Sequence, residues 1–375
     1  MQLWGGFCVY AYLEPAMHPR KTMTDVARAA GVHPTTVSLS FRNHPSIPAA
    51  TRQRICKIAE EIGYRPDPVL SALNAYRHEN ISHHEGAPLA YVHDAGDSSE
   101  SLAHREALCA GAFARAGRLG YRIERFEVGG SGLTYARLNG ILRARGISGV
   151  LLAASAAGGG PRPELEWPHY CTVKIERHAH DPSLDCVATD RHGIVRLGLQ
   201  QALECGYRRI GLVLPRRYDE ESDLAWSSGY LAAQYRLPER LRLPVFYTEG
   251  DRPGCDSDSS AFARWLGRHT PELVMAQGDI IRPLLAAQGI VVPRDLAFVD
   301  IDLGPGSDDA GIRHAGSSIG ELAVDHLVRQ MQHLRKGLAV SPTLTLVGGL
   351  WQDGASMPSR VGEMTTACGR AQHAA

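Results

Sequence analysis

The sequence has no run of eighteen or more apolar residues, so nothing in it reads as a membrane-spanning helix. It has no C-x-x-C pair. The eight cysteines stand singly (Cys8, Cys56, Cys109, Cys171, Cys186, Cys205, Cys255 and Cys368), and a chain of 375 residues can build its core without disulfide staples. They read as reduced thiols of a cytoplasmic protein, and nothing calls for a metal or a cofactor. There is no Walker-A loop and no G-x-G-x-x-G, which leaves nucleotide chemistry without a motif. Net charge is absent as well, with 40 Lys+Arg against 40 Asp+Glu. Residues 3–13 form the most apolar start, but no basic residue precedes them, which argues against a secretory signal. Met17 and Met23 each offer an alternative start, and residues 1–19 are expected to be an unstructured extension.

Apolar residues make up 44% of the chain and charged residues 21%, the proportions of an ordinary globular protein, and the length suggests two or three domains. The zero balance conceals an uneven distribution. Between Arg20 and Arg77 nine Lys/Arg stand against four acids, Asp25, Glu60, Glu61 and Asp67, a surplus of five that the remainder offsets. A small basic head on a larger acidic body is the pattern expected when one end meets a polyanion.

Within that head, Thr22-Met23-Thr24-Asp25 reads as a capping box opening a first helix, and Gly31 ends it. Pro34 suits the first turn of a second helix, on which Val37 and Phe41 share a face and can pack with Val32. A third begins near Pro48, carries Ile55, Ile58, Ala59 and Ile62 at helical spacing, and ends at Gly63. Two short helices joined by a Gly turn and closed by a third form a helix-turn-helix unit, expected over residues 20–66. The outer side of the second helix carries Thr35, Thr36, Ser38, Leu39 and Arg42, small and polar with a cation at its end, which suits a groove.

Tyr64-Arg65-Pro66-Asp67-Pro68 stops regular structure; residues 69–76 read as a short helix and the polar stretch after them as a linker, giving a hinge and linker over 67–87. From Leu89 onward short apolar strands alternate with helices. Strands are expected at 89–92, 121–126, 150–153, 171–175 and 186–188, then at 210–214, 243–246, 273–276, 297–301 and 343–347. Helices are expected at 102–119, 194–205, 261–268 and 319–336. Such alternation builds parallel sheets covered on both faces, and ten strands exceed one five- or six-stranded sheet. Two α/β lobes are therefore expected over 88–355, with a cleft at the carboxyl ends of their strands. Residues 356–375 read as a disordered polar tail, in which no leucine heptad supports a tetramer.

The run Thr22-Met23-Thr24-Asp25-Val26-Ala27-Arg28-Ala29-Ala30-Gly31-Val32, then Thr36-Val37-Ser38, Thr51-Arg52, Ile62-Gly63-Tyr64-Arg65-Pro66 and Leu73, resembles the head of the lactose-repressor (LacI/GalR) family of transcription regulators. Behind it, Asp190, Gly193, Gly206-Tyr207-Arg208-Arg209-Ile210, Gly278-Asp279, Gly289-Ile290, Val292-Pro293 and Phe298-Val299-Asp300-Ile301-Asp302 resemble that family's core, in the right order. The resemblance covers about residues 20–355 and implies a periplasmic-binding-protein-like body. It also implies a homodimer, with a tetramer as the further alternative, on a near-palindromic operator in double-stranded DNA. The second helix then lies in the major groove, with Pro34, Thr35 and Leu39 at base-reading positions and Thr36, Ser38, Arg42 and Tyr64 at phosphate-contacting or positioning ones. Leu39 stands where the family more often has a polar or basic residue, and His33 where it usually has a Ser cap. Leu73 matches the hinge leucine that wedges into the minor groove. For a small-molecule effector, a sugar or related metabolite, the resemblance points to Asp94, Arg177, Asp190, Asp279 and Asp302. Trp226 stands where the family often has an Arg, and its aromatic face suits a sugar ring.

Each assignment has a plainer reading: Asp279 and Asp302 as helix caps, Trp226 as core, Asp94 and Arg177 as solvated loop charges. Gly316-Ser317-Ser318-Ile319-Gly320 fits the G-x-S-x-G elbow of hydrolases, but residues 312–315 make a poor strand and Asp325 and His326 point apart on one helix. A serine capping that helix is the better reading, and no catalytic centre is assigned. His78, His83 and His84 lie in the linker without geometric support for a metal. The sequence thus favours a ligand-switched DNA-binding regulator, with a periplasmic-type solute-binding protein as the alternative.

Overall fold

The computed structural model describes residues 22–41, 47–64, 86–94, 101–130, 132–153, 162–179, 181–249 and 256–361. The chain divides into two units between Ile81 and Ser82. The first holds α1 (Met23–Ala30), α2 (Pro34–Phe41) and α3 (Ala49–Glu61). Val26, Ala27 and Ala30 of α1, Val37 of α2, and Ile55 and Ala59 of α3 form its buried core, with Val32, Phe41, Ile58 and Ile62 packed around it. The capping box is present in full: the Thr22 hydroxyl accepts from the Asp25 N–H, and the Asp25 carboxylate accepts from the Thr22 N–H at 2.9 Å. Gly31 ends α1 at φ +65°, a conformation that costs a side chain and suits glycine.

The second unit contains twelve described strands: β1 (Ala87–Asp94), β2 (Tyr121–Val128), β3 (Gly149–Leu152), β4 (Cys171–Ile175), β5 (Asp185–Thr189), β6 (Ile210–Pro215), β7 (Phe246–Thr248), β8 (Leu273–Ala276), β9 (Ala297–Asp300), β10 (Gly311–Arg313), β11 (Leu344–Val347) and β12 (Leu350–Gln352). Its helices are α4 (Leu102–Arg118), α5 (Tyr135–Ala144), α6 (Arg191–Glu204), α7 (Arg216–Glu221), α8 (Ala225–Gln234), α9 (Asp256–His269), α10 (Gly278–Ala287) and α11 (Gly316–Gln332). The strands form two six-stranded sheets, ordered β11-β5-β4-β3-β1-β2 and β12-β10-β9-β8-β6-β7. All pairings are parallel except β10–β12, at the edge of the second sheet. This is the expected pair of doubly wound α/β lobes.

Helices α4 and α11 cover one face of the first sheet in close backbone contact. A Cβ on Gly111 would stand 2.0 Å from the Ser317 carbonyl oxygen, and one on Gly320 2.0 Å from that of Leu108. Around that crossing Leu108, Ala112, Ile319, Ala323 and Leu327 pack onto Leu89, Leu151, Val173 and Ile175. The described chain passes between lobes three times: from β5 into α6, from β10 into α11, and from β11 to β12.

Several expectations change. Of residues 312–315, read as a poor strand, Ile312 and Arg313 belong to β10, which pairs on both sides, with β9 and β12. The expected strand at 243–246 starts only at Phe246, because Pro244 lacks a donor and the Gln234 side chain takes both backbone groups of Leu243, at 2.7 and 3.0 Å. No serine caps α11: its N-cap is Ala315, and Ser317 and Ser318 lie inside the first turn. The expected tail begins too early. Residues 356–361 are described and packed, with Ser356 buried between Phe298 and Ala310 and Arg360 stacked 4.3 Å over the Tyr207 ring. Ala87, placed in the linker, already belongs to β1. Leu73, Arg42, His78, His83 and His84 lie outside the described residues, as do residues 1–19.

Candidate functional site

In the head, α2 presents its amino-terminal turn to solvent. Thr35 is exposed, while Pro34, Thr36, Leu39 and Tyr64 are half-buried. His33 serves as the cap that the sequence lacks as serine: its ring Nδ1 accepts from the Thr35 N–H at 3.3 Å and lies 3.0 Å from the Thr35 hydroxyl. The Ser40 hydroxyl turns inward and donates to the Thr36 carbonyl at 2.7 Å, and Phe41 meets Tyr64 at 5.7 Å between ring centres. The helix is thus fixed from behind, with Thr35 outward.

In the body, the carboxyl ends of both sheets meet at a junction built on buried charge. Glu176, immediately after β4 and at φ +58°, is buried. Its carboxylate lies 3.0 Å from Arg191 at the start of α6 and 3.0 Å from the His104 ring of α4, and accepts from the Thr189 hydroxyl at 2.6 Å. Burial alone would raise this carboxyl, but Arg191, His104 and Thr189 together outweigh it and hold it well below the usual range. His104 in turn meets His314 edge-on at 5.2 Å. His314, on the passage from β10 to α11, lies 2.7 Å from the Ile301 carbonyl and 3.6 Å from the Asp302 carboxylate. Burial lowers its pKa, against the pull of Asp302.

Trp226 stacks between Tyr218 (5.4 Å) and His314 (6.1 Å). It is fully buried, and its indole N–H meets no acceptor among the described residues. Gln277 donates to Asp302 at 3.4 Å. Burial pushes Asp300 up to about 6, with Asp302 adding to it, and raises Asp279 in the first turn of α10. Trp226, His314, Asp302 and Gln277 are therefore neighbours in one polar junction, and Asp279 feels the charge of Asp302.

The remaining sequence candidates sit elsewhere. Asp190 caps α6, accepting from the Gly193 N–H at 2.8 Å. Asp94 ends β1, half-buried, where its charge reaches the buried phenol of Tyr135. Arg177 is exposed and pairs with Asp223 of the second lobe at 2.7 Å. Sequence reading missed His104, Glu176, Arg191 and His314. The one local signal was a lone acid directly after the expected strand 171–175; the partners are distant, His104 lying 72 positions from Glu176.

Residues 22–67 match the model of the bacterial regulatory proteins of the lacI family. Among characterised proteins, an HTH-type transcriptional regulator of Mycolicibacterium smegmatis is 24% identical over 238 residues, covering 63% of this chain and 62% of that protein. The HTH-type transcriptional regulator IpsA of Corynebacterium glutamicum is 24% identical over 62% of this chain and 64% of its own length. The chain thus matches a little under two thirds of each relative. Among solved structures, the transcriptional regulator CelR in complex with cellobiose covers 90% of this chain and 100% of its own, at 21% identity and a TM-score of 0.51. The lac repressor dimer bound to operator and the anti-inducer ONPF covers 90% and 99%, at 17% and 0.52. At these identities the structures speak for the fold. The capped three-helix head is thus similar to that of the lacI-family regulatory proteins, and the two-lobed body behind it shares the fold of these solved structures.

Proposed function

We propose that this protein is a sequence-specific DNA-binding transcriptional regulator whose affinity for a near-palindromic operator is switched by a small molecule held between the two lobes. The observation that carries this reading is the head, where a rigidly capped α2 stands on a closed three-helix core with Thr35 facing out. Pro34, Thr35 and Leu39 are the base readers, with Thr36, Ser38, Arg42 and Tyr64 on the backbone and Leu73 in the minor groove. Acting as a homodimer, two heads meet two half-sites. The head speaks against a solute-binding protein without a DNA role.

For the effector, the junction offers a buried unsatisfied N–H on Trp226 beside acceptors on Asp302 and an amide on Gln277. Buried polar groups want partners, and a neutral polyhydroxylated molecule supplies donors and acceptors together. Arg191 is already committed to Glu176 and is not available to an anion there. Effector and DNA are linked through the lobes: each ligand shifts the other only by its differential affinity for the two lobe arrangements.

The test is reciprocal linkage. A panel of neutral sugars is screened by thermal shift on the full chain, and a binding sugar must change operator affinity by the same factor by which operator changes sugar affinity. A sugar that binds without moving DNA affinity overturns the switch.

A further inference from the structure

Parallel neighbours β4 and β5 force the segment between them to return the full length of the strands, and its described residues do so without a helix. The return leaves a cavity of about 390 Å³ against the sheet, lined among others by Lys174, Arg177, His178, Leu184, Asp223 and Leu344. Its volume lies in the range of small-molecule sites. It reaches from Arg177 and His178, just past β4, to the amino-terminal ends of β5 and β11.

The polar groups on its floor are already matched. Lys174 is buried, donates to the Ile175 carbonyl at 3.1 Å, and lies 3.7 Å from the Asp181 carboxylate. His178, which burial and then Lys174 keep uncharged, lies 3.4 Å from the same ammonium. The walls are apolar, with Pro182, Leu184, Pro342 and Leu344. At the mouth stands a different kind of pair. Arg177 meets Asp223 from the turn between α7 and α8 of the other lobe, with side chains 53% and 54% exposed. Beside it the Ala179 N–H donates to the Glu221 carbonyl at 2.8 Å. These two contacts clasp the lobes together at the cavity entrance, and a half-exposed ion pair is readily exchanged.

We propose that this cavity is a second ligand site, distinct from the effector junction, for a small monocarboxylate with an apolar body. The carboxylate takes Arg177 from Asp223, the body lies against Leu184 and Leu344, and the displaced Asp223 returns to water. Occupancy loosens the clasp between lobes, and so acts on the arrangement that the effector also biases.

Two neighbouring substitutions separate this from a merely structural pair, because they move binding in opposite directions. The probe is 4-fluorobenzoate, titrated into the full chain and followed by fluorine NMR, with 4-fluorobenzamide as the neutral control. Saturable binding of the acid at millimolar concentration is expected, with the amide at least tenfold weaker. Arg177→Gln weakens the acid tenfold or more, whereas Asp223→Asn strengthens it up to about fivefold by releasing Arg177. Asparagine is among the residues that best tolerate the φ of +58° at that position. Leu344→Trp, at a partly exposed wall position, abolishes binding while far-UV circular dichroism is unchanged. Absence of saturable binding, equal binding of acid and amide, both charge variants moving the same way, or binding surviving in Leu344→Trp each overturns the proposal.

Discussion

Glu176 keeps its charge while buried, and the cost of that burial is offset by Arg191, His104 and Thr189. Glu176→Gln leaves Arg191 buried without its counter-charge and is expected to cost about 3–5 kcal/mol in chemical denaturation; a loss below about 1 kcal/mol contradicts the assignment. The pH signs of the two buried acids are opposite. Glu176 has a folded pKa below its unfolded value, so its stabilisation is present above about pH 4.3 and is lost as pH falls toward the folded pKa. Asp300 has a folded pKa pushed up to about 6. The native state therefore holds more protons than the unfolded one across the interval from about 4 to 6, and this group's contribution falls by about 2–3 kcal/mol as pH rises through it. Asp300→Asn should flatten that part of the stability–pH curve; an unchanged slope assigns it to other groups.

Among the elements, α2 is held by the His33 ring and the core under Val37, while Thr35 is left outward. Thr35→Ala and Leu39→Ala are expected to relax sequence preference at single operator positions by about 1–3 kcal/mol while leaving the salt dependence of binding intact. Arg42→Ala should weaken all duplexes alike and reduce the salt slope by about 1. In the body, Gly320→Ala pushes α11 off the Leu108 carbonyl and should cost about 1–3 kcal/mol in thermal unfolding. Elements with an uninterrupted apolar signature, such as β3 and β8, were legible in the sequence, and so was the capping box of α1. Others were hidden for identifiable reasons. Pro283 sits inside α10 and masks its periodicity, β10 and β12 are three residues long, and the start of the expected strand at 243–246 depends on a glutamine side chain nine positions away. The candidate site was half legible: Trp226 and Asp302 do come together, but through His314, whose role depends on a passage between lobes that no local pattern encodes.

At the scale of the two lobes, three chain passages and a buried charged junction tie them together, and the proposed effector acts by biasing their arrangement. Trp226→Phe keeps the stacking on Tyr218 and His314 and deletes the unsatisfied N–H. It should lower effector affinity about tenfold with stability nearly unchanged, and a loss of stability without loss of affinity would make Trp226 core alone.

The account rests first on the head reading DNA. The decisive measurement is selection of random duplexes on the purified full-length protein, followed by the affinity of the selected site at 50 and 200 mM salt. The account predicts a near-palindromic site bound about 10³-fold or more tighter than random duplex, with affinity falling steeply between the two salts. Weak binding that is blind to sequence at both salts contradicts it.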